Sequence, residues 1–501
     1  MDTLWDVARD CARVPGTPSE DVARTFLETY SWDVIADRAR EVTRVGDETL
    51  MDDVTALCEK MSSTVVGAES LSESLDATRG RDAVDAWLRS SDARVVRLAC
   101  GLVGAVFARG RDARRVRALG EATRSGLARV LVRGSTETAS LASKALLSFS
   151  GRAIEGLEET LRAVLETART EGANGEGNAR ALAFAASAAS ASDAAAEIVV
   201  RSGSLNQCVR EIESEDLLAA SAAMEILAEV AESSPGAASG LRRVDSLSDA
   251  LERIALDESG DIGVRMRAIV VGARIAATST SGDDALVKDA TRTLLELSND
   301  EPSRDVLDAV AEAAGAICLS NASVAGAFVT TARKLVFDVA HRALRGSGQS
   351  QVVALHSMAN MFGAERGDDR SIGADAEAIL ADACFTACGP KTFGDVVFAA
   401  ISVKSDHFLD LRVAAYRLIG ALGDRRPFAE EIAAHPECRR TLCQERERVS
   451  VAATFRARAL EALSRAEIAD QAARAEFASA VSAPSPRNRV VARPDVDVAH
   501  R

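Results

Sequence analysis

The chain has 501 residues, 75 Asp plus Glu against 60 Lys plus Arg, and a formal charge of -15. That balance excludes a general nucleic-acid binder, which needs a basic stripe to neutralise phosphates. Hydrophobic residues reach 47% but aromatics only 4%, so a core must be assembled from Ala, Leu, Val and Ile, in which alanine buries little area but costs nothing in helix propensity and lets helices approach closely.

The first elements fall in residues 1–80. Thr17-Pro18-Ser19-Glu20 offers an N-cap hydroxyl at Thr17, a proline at the first helical position and a glutamate at the third, the pattern of a capping box. Trp5, Phe26, Tyr30, Trp32 and Ile35 predict helices that close one end of a stack, with an ordinary first pair of repeats as the other reading.

From Trp87 to Leu422 a short polar turn followed by an alanine-rich amphipathic helix recurs. The turns fall near Ser91, Ser135, Asn174, Ser214, Gly260, Ser298, Ser347 and Ser405, in steps of 44, 39, 40, 46, 38, 49 and 58. Stacked helical repeats of the HEAT and armadillo kind run about 40 to 47 residues, so the last step carries an insertion. Leu411, Ala415, Leu418 and Leu422 return at three and four positions, one face of a helix. Alternating runs of strand length are nearly absent. The expected fold is all-α: a right-handed α-solenoid of ARM/HEAT-like repeats over residues 81–480, behind an N-terminal helical cap or first repeats (1–80) and ahead of a disordered tail (481–501). The tail follows from three of the ten prolines and no amphipathic pattern. Pro235, Pro302, Pro390, Pro427 and Pro436 fall in expected connections.

Chemistry-bearing motifs are sparse. Basic clusters at Arg109–Arg117 and Arg439–Arg448 read as solvated helix ends or turns, with a phosphate or acidic-partner patch at Arg114-Arg115-Val116-Arg117 as the alternative. Gly172–Asn178 is glycine-rich but lacks the Gly-Lys-Ser/Thr ending of a phosphate loop and reads as a flexible connection. Nine scattered cysteines suit free thiols in a reducing compartment. The pairs Cys384/Cys388 and Cys438/Cys443 lack nearby partners to complete a zinc site, so no metal or cofactor is expected. None of the histidines His341, His356, His407, His435 and His500 lies in a catalytic motif, and no enzymatic activity is expected. His341 and His356 should flank an inter-helix turn. Ala181–Val200 is free of Lys and Arg but contains Asp193 and Glu197 among Ala and Ser, which predicts two closely packed small-residue helices instead of a membrane span. Met1–Asp6 lacks the basic and apolar regions of a secretory signal, so a cytoplasmic protein, also nuclear, is expected; the sequon Asn321-Ala322-Ser323 would then stay unmodified. Ser485-Pro486-Arg487 in the tail offers a proline-directed phosphorylation site, or simply a neutral linker end.

Two functional classes remain: a solenoid whose inner surface binds a protein, and an enzyme or nucleotide-exchange factor built on such a scaffold. A nuclear-import adaptor would show a Trp/Asn ladder, whereas Trp5, Trp32 and Trp87 all lie in the first fifth of the chain. Phe393–Leu422, with Phe398, Ile401-Ser402, Phe408-Leu409-Asp410-Leu411, Ala414-Ala415 and Leu418, followed by Pro427-Phe428-Ala429, resembles the C-terminal repeats of the proteasome non-ATPase regulatory subunit 5 family. Ala153–Glu158, Val200–Gly203, Ala219–Val230 and Trp87-Leu88 with Asp92–Val103 match in order and spacing, more loosely. The alanine enrichment and the Ser/Pro/Arg tail depart from the family pattern and put the transfer of individual site residues in doubt. The resemblance implies a chaperone of regulatory-particle base assembly that binds the C-terminal domain of an ATPase subunit, with an Hsp70 nucleotide-exchange factor or generic armadillo adaptor as the alternative. No nucleic-acid partner is expected from the acidic charge and no membrane partner from the lack of an apolar span, and the chain is expected to be a monomer on its own.

Exposed positions on the alanine-rich helices are the partner-binding candidates: Arg97, Lys144, Glu225, Arg267, Glu312, His356, Tyr416 and Arg417. Arg267, Tyr416 and Arg417 rank first because Arg and aromatic side chains dominate interface hot spots; a solvated helix face is the alternative for each.

Overall fold

The structure is a computed structural model that describes residues 3–76, 78–152, 154–171, 175–214, 216–301, 303–319, 321–364, 366, 370–402, 408–444, 447 and 449–482. The turn markers Asn174 and Ser405, Pro302, His407, His500, the Ser485 site and nearly all of the tail lie outside the described residues, as does the side chain of Trp5. The chain forms two compact units, residues 1–250 and 251–501. All regular structure among the described residues is helical.

The first unit contains α1 (Thr3–Arg13), α2 (Glu20–Thr29), α3 (Trp32–Val45), α4 (Glu48–Ser62), α5 (Val65–Asp76), α6 (Thr78–Leu88), α7 (Ala93–Arg109) and α8 (Ala113–Arg133). It continues with α9 (Thr136–Arg152), α10 (Leu157–Glu171), α11 (Gly175–Ala189), α12 (Asp193–Arg201), α13 (Asn206–Ile212), α14 (Leu217–Ser233) and α15 (Pro235–Leu241); α16 (Leu247–Leu256) crosses the boundary. One layer runs α1, α4, α7, α9, α11, α14, each helix packed on the next, and α2, α5, α8, α10, α12 and α15 form the other. Layer helices therefore begin at residues 48, 93, 136, 175 and 217, in steps of 45, 43, 39 and 42. The layer reaches back to α1, so residues 1–80 already take part in the stack.

The second unit contains α17 (Ile262–Ala277), α18 (Ala285–Asp300), α19 (Arg304–Ile317), α20 (Ala322–Thr331), α21 (Arg333–Arg345), α22 (Gly348–Met361) and α23 (Ala374–Cys388). It ends with α24 (Phe393–Ile401), α25 (Leu409–Leu422), α26 (Arg426–Ala434), α27 (Pro436–Gln444), α28 (Ser450–Arg465) and α29 (Gln471–Ser482). Its layer is α17, α19, α22, α25, α28, with starts at 262, 304, 348, 409 and 450 and steps of 42, 44, 61 and 41. Each unit is a helical-repeat solenoid that mixes helix pairs such as α18–α19 with three-helix groups such as α20–α22 and α26–α28.

Polar residues cap several layer helices, although the marker Ser298 lies inside α18 and Ser347 makes no side-chain cap bond. Asp47, Asp92, Asp216, Asp261 and Ser303 each accept a hydrogen bond from a backbone N–H in the first turn of α4, α7, α14, α17 and α19, which satisfies donors that a helix start otherwise leaves open. The cap of α2 is Ser19, two residues later than the sequence pattern indicates. Glu20 does not reach back to its own helix: its two carboxylate oxygens accept from Val65 and Val66 N–H at 2.9 Å, at the start of α5. Gly175–Asn178, expected as a connection, forms the first turn of α11. Ala181–Val200 divides between α11 and α12, as expected, and no helix among the described residues is long and apolar enough to cross a membrane.

The insertion lies between α22 and α23. It is held by Arg366, a buried side chain whose guanidinium donates to the carbonyls of Met361 at 2.8 Å and Asn360 at 3.1 Å, and to that of Cys318. One arginine thus ties together carbonyls at the ends of helices α19 and α22, of which that of Asn360 also accepts from Gly363 N–H at 2.9 Å. Arg345 does the same for Ala387 and Cys388 at the end of α23.

Candidate partner-binding surface

Layer helices bury most of their girth between neighbours and leave a strip to solvent. On α22 that strip includes Val353, His356 and Asn360; on α25, Val413, Arg417 and Gly420; on α28, Thr454, Arg458 and Glu461. The three- and four-residue spacing follows from the helical repeat once alanines fill the sides.

Seven of the eight sequence candidates lie on such strips. Lys144, Glu225 and Glu312 are exposed, and Arg97, Arg267, His356 and Arg417 are half-buried. Arg97 pairs with Glu137 at 2.8 Å on α9 and Glu59 at 3.5 Å on α4, so it ties three successive layer helices. Arg274 reaches Glu312 at 3.9 Å between α17 and α19. Exposed pairs of this kind are worth about 0–1 kcal/mol, and both remain accessible to a partner.

Tyr416 is a correction. Its side chain is 1% exposed, and its hydroxyl donates to Glu447 at 2.9 Å, the carboxylate that also pairs with Arg412 at 3.3 Å. Burial pushes the phenol well above its ordinary range. Tyr416 is thus a core residue, and a partner meets Arg417 beside it. The periodicity that selected both cannot separate adjacent positions at the edge of a strip.

Arg417 and His356 are brought together. The Arg417 guanidinium donates to the His356 carbonyl at 3.1 Å and to the Asn360 side-chain oxygen, and lies 3.4 Å from His356 Nδ1. These contacts fix a charged fork across α22 and α25. Sequence reasoning missed Arg458 and Arg465 on α28 because the series of turn markers stopped at Ser405. The signal was present in Thr454, Arg458, Glu461 and Arg465, spaced four, three and four within an alanine-rich run.

Within the clusters Arg109–Arg117 and Arg439–Arg448, Arg115, Arg117, Arg439 and Arg440 form ion pairs, while Arg446 and Arg448 lie outside the described residues. Arg115 meets Glu73 at 3.0 Å, Arg117 meets Glu155 at 3.2 Å and Arg439 meets Glu476 at 3.0 Å. Cys384, Cys388 and Cys438 are buried and Cys443 half-buried. Among the described residues no group of three or more His, Cys, Asp or Glu side chains is arranged to hold a metal ion.

No family model matches the chain, and no curated protein does. Among solved structures, an engineered protein from a structural-genomics consortium is 18% identical over 86% of this chain and 98% of its own, with a TM-score of 0.40. A designed armadillo repeat protein is 18% identical over 52% of this chain and 99% of its own (TM-score 0.37). Another, solved in complex with the peptide (KR)4, is 16% identical over the same shares (TM-score 0.37). At these scores the fold rests on the chain's own layers of helices.

Proposed function

We propose that the chain is a protein-binding helical-repeat scaffold that assists assembly of the proteasome regulatory-particle base by holding the C-terminal domain of an ATPase subunit. The observation that carries the binding part is the fixed guanidinium of Arg417. It sits on a solvent-facing strip and is anchored by the neighbouring layer helix, so a partner meets it with little ordering left to do. Rigid neighbouring strips present such groups at helix spacing, which suits a folded surface larger than a small ligand. In this reading the activity is binding and release, without catalysis or a cofactor, by a monomer in the cytoplasm or nucleus.

The proteasome part is supported by the resemblance of Phe393–Leu422, of which Phe393–Ile401 form α24 and Leu409–Leu422 form α25. Phe393, Ile401, Ala414, Ala415, Leu418 and Phe428 within and after it are buried, so the likeness bears on how the repeats pack more than on what they bind. The test is affinity capture from cell extract with the purified chain, read by mass spectrometry with and without ATP. Recovery of regulatory-particle ATPases without mature core particle is expected. Recovery of a heat-shock chaperone that is lost with nucleotide would replace this reading with nucleotide exchange.

A further inference from the structure

In the second unit, a recess of about 270 Å³ opens between α25 and α28. Arg370, Arg417, Arg458 and Arg465 line it, with Glu461 and the Phe455 ring. In a chain of net charge -15 this is a local inversion of sign. Arg370 pairs with Asp424 at 3.4 Å, and Glu461 stands about one helical turn from both Arg458 and Arg465. Among the described lining residues, four guanidiniums meet one carboxylate, that of Glu461. Arg458 lies over the Phe455 ring, 5.4 Å from its centroid. Arg458 and Arg465 are exposed, and neither makes an ion pair among the described residues.

We propose that this recess anchors an extended acidic segment of a partner protein, two or more neighbouring Asp or Glu carboxylates meeting Arg458 and Arg465 while an apolar side chain packs on Phe455. The inference rests on the protein-binding reading above and specifies the chemistry of the partner. Guanidinium forks match carboxylates bidentately and, beside an aromatic ring, form the kind of group that dominates interface energetics. A compact phosphate fits less well. Arg417 and Gly420 lie in the second half of α25, and Arg458 and Arg465 in the second half of α28. The described lining of the recess therefore includes no helix N-terminus whose backbone N–H groups would cradle a compact phosphate, and side-chain guanidiniums are left to meet the anion. Cations spread over two helices and the segment before α23 suit charges that are themselves spread along a peptide.

The probe is a fluorescein-labelled octaglutamate peptide, titrated with the full chain and read by anisotropy. Binding is expected to weaken about tenfold in Arg458→Glu/Arg465→Glu, to persist in Arg458→Lys/Arg465→Lys, and to fall with added salt. Arg210→Glu/Arg440→Glu, which makes the same charge change at exposed positions outside the recess, is expected to leave binding unchanged. Equal weakening in both charge reversals, or in neither, overturns the site, as does full displacement of the probe by millimolar inorganic phosphate. Capture of regulatory-particle ATPases separates the two levels. Retained capture with no Arg458/Arg465-dependent peptide binding removes the recess and leaves the proposed function; peptide binding without ATPase capture does the reverse.

Discussion

Arg265 and Glu301 form a 2.7 Å ion pair with side chains 6% and 4% exposed. The guanidinium also donates to the Ala255 carbonyl at 3.3 Å, and the second carboxylate oxygen accepts from Ser303 N–H at 2.8 Å. This is the most deeply buried charge pair described, and it links the ends of α16 and α18 to α17. Removing one partner leaves an unpaired buried charge, so Arg265→Met is expected to cost about 3–5 kcal/mol. Arg265→Met/Glu301→Leu should recover much of that loss. Urea unfolding of the single and double variants checks both; additive losses would show that the pair is not coupled.

Two layer glycines should respond to alanine with opposite signs. A Cβ at Gly315 on α19 would stand 2.6 Å from Ser357 Cα on α22, whereas one at Gly101 on α7 would meet nothing within 4 Å. Helix propensity favours alanine at both by up to about 1 kcal/mol. At Gly315 the clash is with backbone, and overpacking of that kind costs about 1–3 kcal/mol. Gly101→Ala is expected to raise the unfolding midpoint and Gly315→Ala to lower it, as thermal melts of the two variants would show.

The repeat was legible because several layer helices start at a polar cap and pack through alanines: Ser91 precedes the cap Asp92, and Gly260 the cap Asp261. Where the cap is apolar, as Phe408 is for α25 and Val449 for α28, or where the marker falls inside a helix, as Ser298 does in α18, the pattern gave a looser position. The all-helical class follows from the same pattern, and the insertion was legible as an overlong step. What was not legible came from contacts between distant residues. Glu20 caps α5 and not α2, and no local pattern records a partner 45 residues away. Tyr416 and Arg417 are neighbours in sequence, yet one is core and the other surface, because α25 turns by roughly 100° between them.

Burial governs the thiols. The Cys58, Cys100, Cys208, Cys318 and Cys438 thiols are pushed up to about 12, first by desolvation. Since the thiolate is the reactive form, these thiols should resist an aromatic disulfide reagent at pH 8 in the native chain and react promptly in denaturant. Rapid native labelling of Cys318, located by peptide mapping, would contradict this packing.

The capping box of α24 gives one pH dependence. Thr392 Oγ1 accepts from Asp395 N–H at 3.1 Å, while the Asp395 carboxylate accepts from the Thr392 hydroxyl at 2.7 Å and N–H at 2.8 Å. These bonds, the hydroxyl first, hold Asp395 below the usual carboxylate range. A group whose folded pKa is depressed contributes stability above its unfolded pKa and loses it as pH falls through the folded one. Thr392→Ala should therefore destabilise by about 1 kcal/mol at neutral pH. The difference from the parent chain should narrow below the unperturbed Asp pKa of about 3.9. Unfolding measured from pH 7 to pH 3 tests the trend, and a constant difference would count against it.

The central claim is recognition of an ATPase subunit by the layer strips, and the most direct measurement is titration calorimetry of the purified chain against isolated C-terminal domains of regulatory-particle ATPases. The account predicts saturable binding to one of them, weakened by charge reversal of Arg267 and Arg417 together. The comparison must be corrected for stability, because Arg417 also holds His356 and Asn360. No heat with any of the domains, from a chain shown to be folded by circular dichroism, would contradict it.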